Sequence, residues 1–247
     1  MVGREVLDLL ILVRIQVSEI CAGDQKIPGS SPGSPDKIMT KNQLVKKFYK
    51  INQDLYQKGR DPLKCHGPDH HMRVWKYSLY LSKALEKRGR KIDYQILIPA
   101  VFLHDITAYD PYKSEKDHWN HQDDIRAAEK VLKKLKYPRE KISQITSIIS
   151  VHSTNTKVIS KNEPVEATIL RDADKMDVFG PLGITRILMA MSRRFYGIPE
   201  IIKIYHKEQN IKHRYQMMKI PEAKRFVKEN YKYSREFFKR LDQDLST

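Results

Sequence analysis

Cysteine is scarce in this sequence: Cys21 and Cys65 are the only two among 247 residues. Two cysteines cannot form the disulfide framework of a small secreted protein, and neither has the spacing of a zinc-binding pair. Long hydrophobic runs are missing as well. The longest run without proline or a polar residue covers residues 9–13, far short of the ~18–20 residues that cross a membrane. We therefore expect a protein of the reducing cytoplasm with no membrane segment.

The start of the chain lacks the clean apolar stretch of a signal peptide. Charged residues interrupt it at Arg4, Glu5, Asp8, Arg14 and Glu19. Acidic residues are also in short supply, because 46 Lys and Arg face 30 Asp and Glu and leave a net charge of +16. Such a field attracts phosphate-bearing partners, whether nucleotides, nucleic acid or anionic lipid. A lysine-rich solvated surface accounts for the same excess equally well.

Two parts of the chain differ in composition. Residues 22–38 are rich in Gly, Ser and Pro and are typical of a flexible linker. We therefore predict a flexible extension over residues 1–38 and one domain over residues 39–247. From residue 40 onward the apolar residues recur with helical spacing, without useful strand-like alternation and without an internal repeat. With 40% hydrophobic residues available for a core, the predicted fold is an all-α helical bundle.

Local signals predict where some helices begin and end. Asp69 is expected to cap a helix that runs to about Lys87. Gly180-Pro181 and Gly183 are expected to break the helix that carries Leu170 and Asp174, with the next helix running from about residue 184 to residue 193. The C-terminal segment from Pro221 is predicted to be an amphipathic, basic helix.

Residues 96–105, ILIPAVFLHD, are the most informative stretch. An apolar run of this kind is normally buried, and burying His104 and Asp105 at its end costs several kcal/mol unless the charges are compensated. Other polar residues also lie in phase with apolar helical stripes: His70, His121, His152 and Asp174. A single such histidine is more often a hydrogen-bonded core residue. These four residues and His104 make five, and five together favour a shared metal ion, which satisfies all of them at once.

Imidazole and carboxylate ligands without a thiolate favour Mn, Fe, Co, Ni or Mg over a structural zinc. A site with three or four protein ligands has room for water and a phosphate oxygen, and the ion lowers the pKa of its water. An arginine beside the metal would clamp a phosphate through two hydrogen bonds. Arg73 and Arg186 are the candidates for this role.

Three motifs in order resemble the HD-domain metal-dependent phosphohydrolase superfamily, and within it the small prokaryotic HD hydrolases. The motifs are His70-x-x-Arg73-Val74, His104-Asp105 and Asp172-Ala173-Asp174-Lys175-Met176-Asp177. The resemblance covers roughly residues 45–245 and implies an HD-type helical bundle. It also implies that one divalent metal is bound by His70, His104, Asp105 and Asp174.

Helix phase supports two choices within these motifs. His70 rather than His71 lies in phase with Val74, and Asp174 rather than Asp172 lies in phase with Leu170. Asp172 is then expected to cap a helix or to support a ligand.

The resemblance also implies further roles around the metal. His121 and His152 are expected to hold a second metal or the substrate phosphate, and with Asp105 they are the catalytic candidates. Asp177 is expected to be the partner of a nearby base, and with Arg73 and Arg186 it completes the predicted substrate-binding set.

One departure from the family concerns the substrate. Many members follow the HD pair with Gly-Lys, whose lysine reaches the phosphate. Here Thr107 and Tyr109 follow the pair, and Lys113 is the first lysine.

The leading hypothesis is therefore a metal-dependent phosphohydrolase, of phosphatase or phosphodiesterase type, acting on a nucleotide or another small phosphate ester. The alternative is a catalytically weak HD module that binds a nucleotide or nucleic acid, which the +16 charge supports. Filled ligand positions and the lack of a nucleic-acid motif count against it. A third hypothesis treats the histidines as polar core residues only.

Overall fold

The computed structural model describes residues 39–59, 64–109, 121–152, 163–192, 197–208 and 211–246. These residues contain ten α-helices and no β-strand, so the prediction of an all-α fold is confirmed. The helices are α1 (Lys41–Lys58), α2 (Pro68–Glu86), α3 (Tyr94–Leu103), α4 (His121–Lys134), α5 (Arg139–Ser150), α6 (Val165–Met176), α7 (Gly180–Ser192), α8 (Ile198–Glu208), α9 (Ile211–Met217) and α10 (Pro221–Asp244). Short 3-10 turns cover Lys64–His66 and Ile106–Tyr109.

Helix α3 is the centre of the bundle. Nine of its ten residues are buried, and it packs against α1, α2, α5 and α6. The Asp93 carboxylate begins the helix by accepting the Gln95 N–H at 2.8 Å. Burial on all sides explains why residues 96–103 are apolar without a polar face. The helix ends at Leu103, so His104 and Asp105 lie at the end of a buried helix.

Helix α2 begins differently from the prediction. Gly67 occupies the capping position and Pro68 the first turn, while Asp69 lies inside the helix. The missing N–H of a proline costs nothing in the first turn, where backbone N–H groups have no helical partner. The Asp69 carboxylate instead accepts a hydrogen bond from Arg73 Nη1 at 2.6 Å. The expectation that Asp69 caps α2 was therefore wrong.

Helix α6 ends at Met176, so the predicted break after it is present, but Gly180, Pro181 and Gly183 form the first turn of α7, and the predicted helix start near residue 184 was wrong. Gly180 has φ of +77°, and a Cβ there would lie 2.8 Å from the Asn230 side chain of α10. Glycine is the residue that tolerates both conditions. The buried Ser234 Oγ of α10 accepts the Gly180 N–H at 2.8 Å. The glycine therefore allows α10 to pack closely against the start of α7.

Buried apolar residues from α1 to α10 form one continuous core cluster, from Leu44 to Phe238. The start of the described part, at residue 39, coincides with the predicted domain start, but the domain boundary itself stays a prediction. The predicted extension over residues 1–38 lies outside the described residues. Within the described residues, no helix combines the length and apolar character that a membrane crossing requires.

Two buried serines differ in their hydrogen bonding and give a test of the packing. The Ser78 hydroxyl of α2 is fully buried without a partner in the described part of the chain, whereas Ser234 accepts the Gly180 N–H. We expect Ser78→Ala to leave the free energy of unfolding unchanged or to raise it by up to about 1 kcal/mol. Ser234→Ala should lower it by about 1–3 kcal/mol, because a buried donor loses its acceptor. Urea denaturation of both variants measures the contrast. Equal losses in the two variants would contradict this account of the core.

Candidate metal centre

Four side chains converge at one point of the bundle. One ligand atom from each of His70, His104, Asp105 and Asp174 lies within 4.8 Å of the corresponding atoms of the other three. Both histidines are fully buried, and the Asp174 side chain is 20% exposed. The structure therefore brings together the four residues that the resemblance implies as metal ligands.

Helix packing explains how residues so far apart in sequence meet. His70 lies in the first turn of α2, His104 and Asp105 directly follow α3, and Asp174 lies near the end of α6. Helix α2 packs against both α3 and α6, and α3 also packs against α6. The three helices therefore pack against one another in a triangle, and the ligand-bearing end of each helix lies at the cluster.

The ring nitrogens of the two histidines have separate tasks. His104 Nδ1 donates to the Val101 carbonyl at 2.8 Å, and His70 Nδ1 donates to Asp177 Oδ2 at 2.8 Å. Because a carbonyl oxygen can only accept, the Nδ1 proton of His104 is fixed and Nε2 carries the lone pair in the neutral ring. Both Nε2 atoms are buried and make no hydrogen bond within the described part of the chain. Their lone pairs are therefore available to a cation.

Distances within the cluster fit a shared ion better than direct hydrogen bonds. His104 Nε2 lies 3.3 Å from Asp105 Oδ2 and 3.8 Å from Asp174 Oδ1. His70 Nε2 lies 3.6 Å from Asp174 Oδ1 and 3.8 Å from Asp105 Oδ2. Ligands at 2.0–2.3 Å from one metal are about 3–3.5 Å from each other. Two imidazoles and two carboxylates in this arrangement could hold a divalent ion.

The pKa shifts within the cluster also favour a bound cation. Burial alone would lower the pKa of His104, but the Asp105 carboxylate beside it raises that pKa well above its ordinary value. Burial would likewise raise the pKa of Asp105, yet His104 and the neighbouring His152 and His70 hold it well below its usual range. Two carboxylates this close attract positive charge strongly. A metal ion would supply that charge in place of a proton.

Around the metal cluster, the Asp177 carboxylate is the common hydrogen-bond acceptor. Its buried carboxylate accepts hydrogen bonds from His70 Nδ1, from Arg73 Nε at 2.8 Å and from Arg186 Nη1 at 2.6 Å. Although burial alone would raise it, the His70 hydrogen bond and the neighbouring arginines lower the pKa of Asp177 to about 2. Arg186 Nε also donates to the Cys65 carbonyl at 2.7 Å.

These contacts differ from the predicted substrate roles. Arg73, Arg186 and Asp177 are bonded to one another, and the Asp177 side chain has no exposed surface. A carboxylate that already accepts from three side chains has little remaining capacity for a substrate base. The contacts instead make Asp177 the residue that orients His70. The predicted substrate contact of these three residues finds no support in their hydrogen bonds and stays a prediction.

Residues 69–178 match the family model for the HD domain. This segment is an HD domain. The family assignment suggested by the three sequence motifs is thereby confirmed. All four residues of the cluster lie within the matched segment, whereas Arg186 and helices α7 to α10 lie beyond it.

Solved structures share the fold. A protein from Lactobacillus plantarum superposes with a TM-score of 0.62 at 18% identity, over 82% of this chain and 97% of that one. YpgQ of Bacillus subtilis, solved in complex with ADP, gives 0.56 at 18% identity, over 81% and 97% of the two chains. An HD-superfamily hydrolase from Bacillus thuringiensis gives 0.55 at 19%, over 84% and 100%. At these identities the likeness shows a common fold. No curated protein matches by sequence.

The two additional histidines predicted around the HD domain have different outcomes. His152 lies beside the cluster, with Nε2 3.2 Å from Asp105 Oδ1 and Nδ1 donating to the Ile149 carbonyl. Asp105 therefore faces the ligand histidines with one oxygen and His152 with the other. His121 is the first residue of α4, but its side chain lies outside the described residues. Its predicted role stays a prediction.

Sequence reasoning missed His66. Its ring packs edge-on against His70 with centroids 5.3 Å apart, and its Nδ1 lies 3.2 Å from Cys65 Sγ. Burial and the nearby Arg186 lower the pKa of His66 well below its ordinary value. His66 lies in a 3-10 turn without an apolar stripe, so helical periodicity could not reveal it. A histidine four residues before a metal-ligand candidate was the only available signal.

The residues that stand in place of the family's Gly-Lys pair make hydrogen bonds and contacts within the HD domain. The Thr107 backbone N–H and hydroxyl both donate to Asp124 Oδ1 of α4, at 2.9 and 2.6 Å. The buried Tyr109 hydroxyl lies 3.0 Å from Nδ1 of His71, which packs against the His104 ring. These contacts fix the turn after Asp105 instead of reaching outward to a phosphate. Lys113 lies outside the described residues.

Asp172 lies outside the metal cluster and binds the backbone directly before the C-terminal helix. Its Oδ2 accepts the backbone N–H groups of Lys219 at 2.9 Å and Ile220 at 2.7 Å, directly before α10. Burial raises the pKa of Asp172 to about 6 against the opposing effect of these hydrogen bonds. The HD domain is thereby joined to the helices that follow it.

The raised pKa of Asp172 predicts that the stability of the protein depends on pH. Asp172 has a folded pKa of about 6 against an ordinary value of 3.8, so the folded state holds this proton more tightly. Its ionisation therefore lowers stability progressively as the pH rises from about 4 to about 6. The unfolding free energy of Asp172→Asn minus that of wild type should therefore rise by about 1–3 kcal/mol between pH 4 and pH 7. Urea unfolding at both pH values measures this, with exposed Asp54→Asn as the control expected to show no such gain. A gain no larger than that control would contradict the prediction.

Proposed function

We propose that this protein is a divalent-metal-dependent phosphohydrolase that acts on a nucleotide or another small phosphate ester. The observation that carries the proposal is the convergence of two imidazoles and two carboxylates at one point of an HD domain. The buried Nε2 atoms of His70 and His104 lack hydrogen bonds to other described residues, which supports a ligand role for both. Mn, Co, Ni, Fe and Mg are the candidate ions for this oxygen and nitrogen donor set.

A bound divalent ion would lower the pKa of a water molecule and offset charge on the phosphoryl group. The chain's own residues would prepare the site for this chemistry. Asp177 and the Val101 carbonyl orient the two histidines through their Nδ1 atoms. His152 contacts the outer oxygen of Asp105, where it could hold or move a proton. The partly exposed Asp174 side marks where a substrate would approach.

A nucleotide is the favoured substrate class for two reasons. YpgQ, which shares the fold, was solved with ADP, and the net charge of +16 draws phosphorylated molecules towards the protein. The alternative, a weakly catalytic HD module that binds a nucleotide or nucleic acid, predicts binding without turnover. A cytoplasmic location belongs to the same proposal, since phosphorylated metabolites are its expected partners.

Metal content and phosphate release test the proposal directly. Protein purified with and without added Mn, Co, Ni or Mg would be analysed for bound metal, then assayed with a panel of nucleotides and simple phosphate esters. Asp174→Asn should lose metal and activity. Asp172→Asn is the matched control, because it changes another buried carboxylate of α6 that lies outside the cluster. Wild-type protein that binds metal but releases no phosphate from any substrate would reject the enzyme and favour the binding module.

A further inference from the structure

Arg186 is a buried arginine whose hydrogen bonds join two separate parts of the chain. It lies in α7, beyond the segment that matches the HD model, and its side chain is 8% exposed. Nε donates to the Cys65 carbonyl at 2.7 Å, and Nη1 donates to Asp177 Oδ2 at 2.6 Å and to the Asp177 carbonyl at 3.1 Å. Because the guanidinium group is planar and its donors point in fixed directions, Arg186 fixes the turn before α2 relative to the residue that follows α6.

The two hydrogen-bond partners of Arg186 are both connected to His70, the ligand candidate in the first turn of α2. Asp177 Oδ2 accepts from Arg186 and also from His70 Nδ1 at 2.8 Å. Cys65 is followed by His66, whose ring packs edge-on against the His70 ring with centroids 5.3 Å apart. The His70 ring is therefore held by a hydrogen bond at Nδ1 and by packing against the His66 ring, and Arg186 bonds to the base of both supports.

Helix α7 is fixed in turn by the C-terminal helix. It packs against the 3-10 turn Lys64–His66 and against α10. At the start of α7, the Gly180 N–H donates to the buried Ser234 Oγ of α10 at 2.8 Å. The position of Arg186 therefore depends on helices that lie beyond the matched HD segment.

These hydrogen bonds favour a structural link to His70 over a contact between Arg186 and substrate. To bind a phosphate, the guanidinium group would have to leave Asp177 and the Cys65 carbonyl. The Asp177 side chain has no exposed surface, and a buried carboxylate that loses a charged donor is costly. A role in holding His70 requires no such rearrangement.

The two roles of Arg186 differ in the expected effect on a metal ion. On charge alone, removing a positive side chain near a cation site strengthens the binding of the cation. Loss of a group that orients a ligand histidine weakens metal binding instead, typically by about tenfold to a hundredfold. The direction of the change in metal affinity therefore separates a positioning role from a purely electrostatic one.

We propose that Arg186 is a positioning residue of the metal centre, which holds His70 in its metal-binding orientation through Asp177 and the turn that carries His66. This inference rests on the proposed metal site and adds a requirement to it. Full metal affinity depends on α7 and α10 as well as on the HD segment that supplies the four ligand candidates.

Metal affinity tests the inference without relying on turnover. Isothermal titration with Mn would compare the full-length wild type, Arg186→Met and Arg186→Lys. We expect Arg186→Met to bind Mn about tenfold to a hundredfold more weakly. Arg186→Lys should lose less, because an ammonium group restores the charge beside Asp177 but lacks the fixed fork of a guanidinium group. With saturating Co, the visible absorption bands of the bound ion should also shift in Arg186→Met, because they report the arrangement of the ligands.

Arg171→Met is the matched control. Arg171 is a buried arginine of α6 that also joins a carbonyl to a carboxylate, because Nε donates to the Val151 carbonyl at 3.1 Å and Nη1 to Glu163 Oε2 at 2.8 Å. Neither partner belongs to the metal cluster. Arg171→Met should therefore lose stability in urea unfolding but keep the Mn affinity and the Co spectrum of wild type. Circular dichroism would establish that each variant is folded.

Equal or tighter Mn binding by folded Arg186→Met would overturn the inference and leave the proposed hydrolase intact. An equal loss of Mn affinity in Arg171→Met would also overturn it, since general destabilisation would then explain the effect. If Arg186→Met does not fold, Arg186→Lys decides, and Mn affinity equal to that of wild type would overturn the inference. A wild type that binds no divalent metal would overturn this inference and the proposed function together. Arg186-dependent Mn binding by a wild type that hydrolyses nothing would support the inference and reject the hydrolase alone.

Discussion

Replacing Asp105 by alanine should abolish metal retention and hydrolysis while leaving the helical content nearly intact. Asp105 Oδ2 lies 3.3 Å from His104 Nε2 and 3.8 Å from His70 Nε2, and Oδ1 lies 3.2 Å from His152 Nε2. The carboxylate therefore lies close to three histidines of the centre: His70, His104 and His152. Its loss removes a ligand and the negative charge nearest to both ligand histidines, so the remaining three ligands would hold a cation weakly.

The fold should survive this change because the core does not depend on Asp105. Helix α3 ends before it and is buried through its apolar residues. The histidines around Asp105 can become neutral once the carboxylate is gone, unlike an arginine, so its removal should cost metal-free protein little beside the apolar core. Bound metal, circular dichroism and phosphate release would be measured together. His152→Ala is the comparison: it should keep some metal and mainly lower turnover. Full metal-dependent activity in Asp105→Ala would reject the proposed centre.

Replacing Asp177 by asparagine should weaken metal binding by about tenfold to a hundredfold, as expected when the partner of a metal-bound histidine is lost. Asparagine has almost the shape of aspartate but no charge, and its NH2 group would face donors. One of the groups from His70, Arg73 and Arg186 would then lose its acceptor. Because breaking a buried charged pair costs about 3–5 kcal/mol, the stability of the protein should fall as well.

The control for this prediction is Asp69→Asn. Asp69 also accepts a hydrogen bond from Arg73, but its side chain is 67% exposed, so its loss should barely change metal affinity or stability. The pH adds a second check. The pKa of Asp177 is lowered to about 2 from 3.8, so its contribution is present above pH 4 and is lost as the pH falls towards 2. The difference in unfolding free energy between wild type and Asp177→Asn should therefore shrink in acid. A difference that is constant from pH 7 to pH 3 would contradict this.

Much of the architecture and the membership of the cluster could be predicted from the sequence. Helical spacing of apolar residues predicts the bundle because each helix must bury one face, a local property of the chain. The same phase argument selected His70 over His71 and Asp174 over Asp172, and the structure places the selected residue of each pair in the cluster. Residues within one helix keep fixed angular relations, so this choice needs no knowledge of the partners.

The contacts between side chains could not be predicted in this way. Asp177 joins His70, Arg73 and Arg186, which are separated from it by 107, 104 and 9 positions. The sequence placed Arg73, Arg186 and Asp177 near substrate but could not show that both arginines bond to Asp177.

The sequence by itself therefore determined the all-α class, because helix periodicity and burial are properties of short segments. The set of residues that converge came from the resemblance to the HD family, with helix phase in support. The tertiary structure alone decided which histidine nitrogen faces the centre, which cations Asp177 engages, and that Gly180 begins a helix instead of ending one. Each of these depends on a partner distant in the chain: the Val101 carbonyl and Asp177 for the tautomers, and Ser234 and Asn230 of α10 for Gly180. Such partners are selected by the packing of whole helices, in which many weak contacts act together.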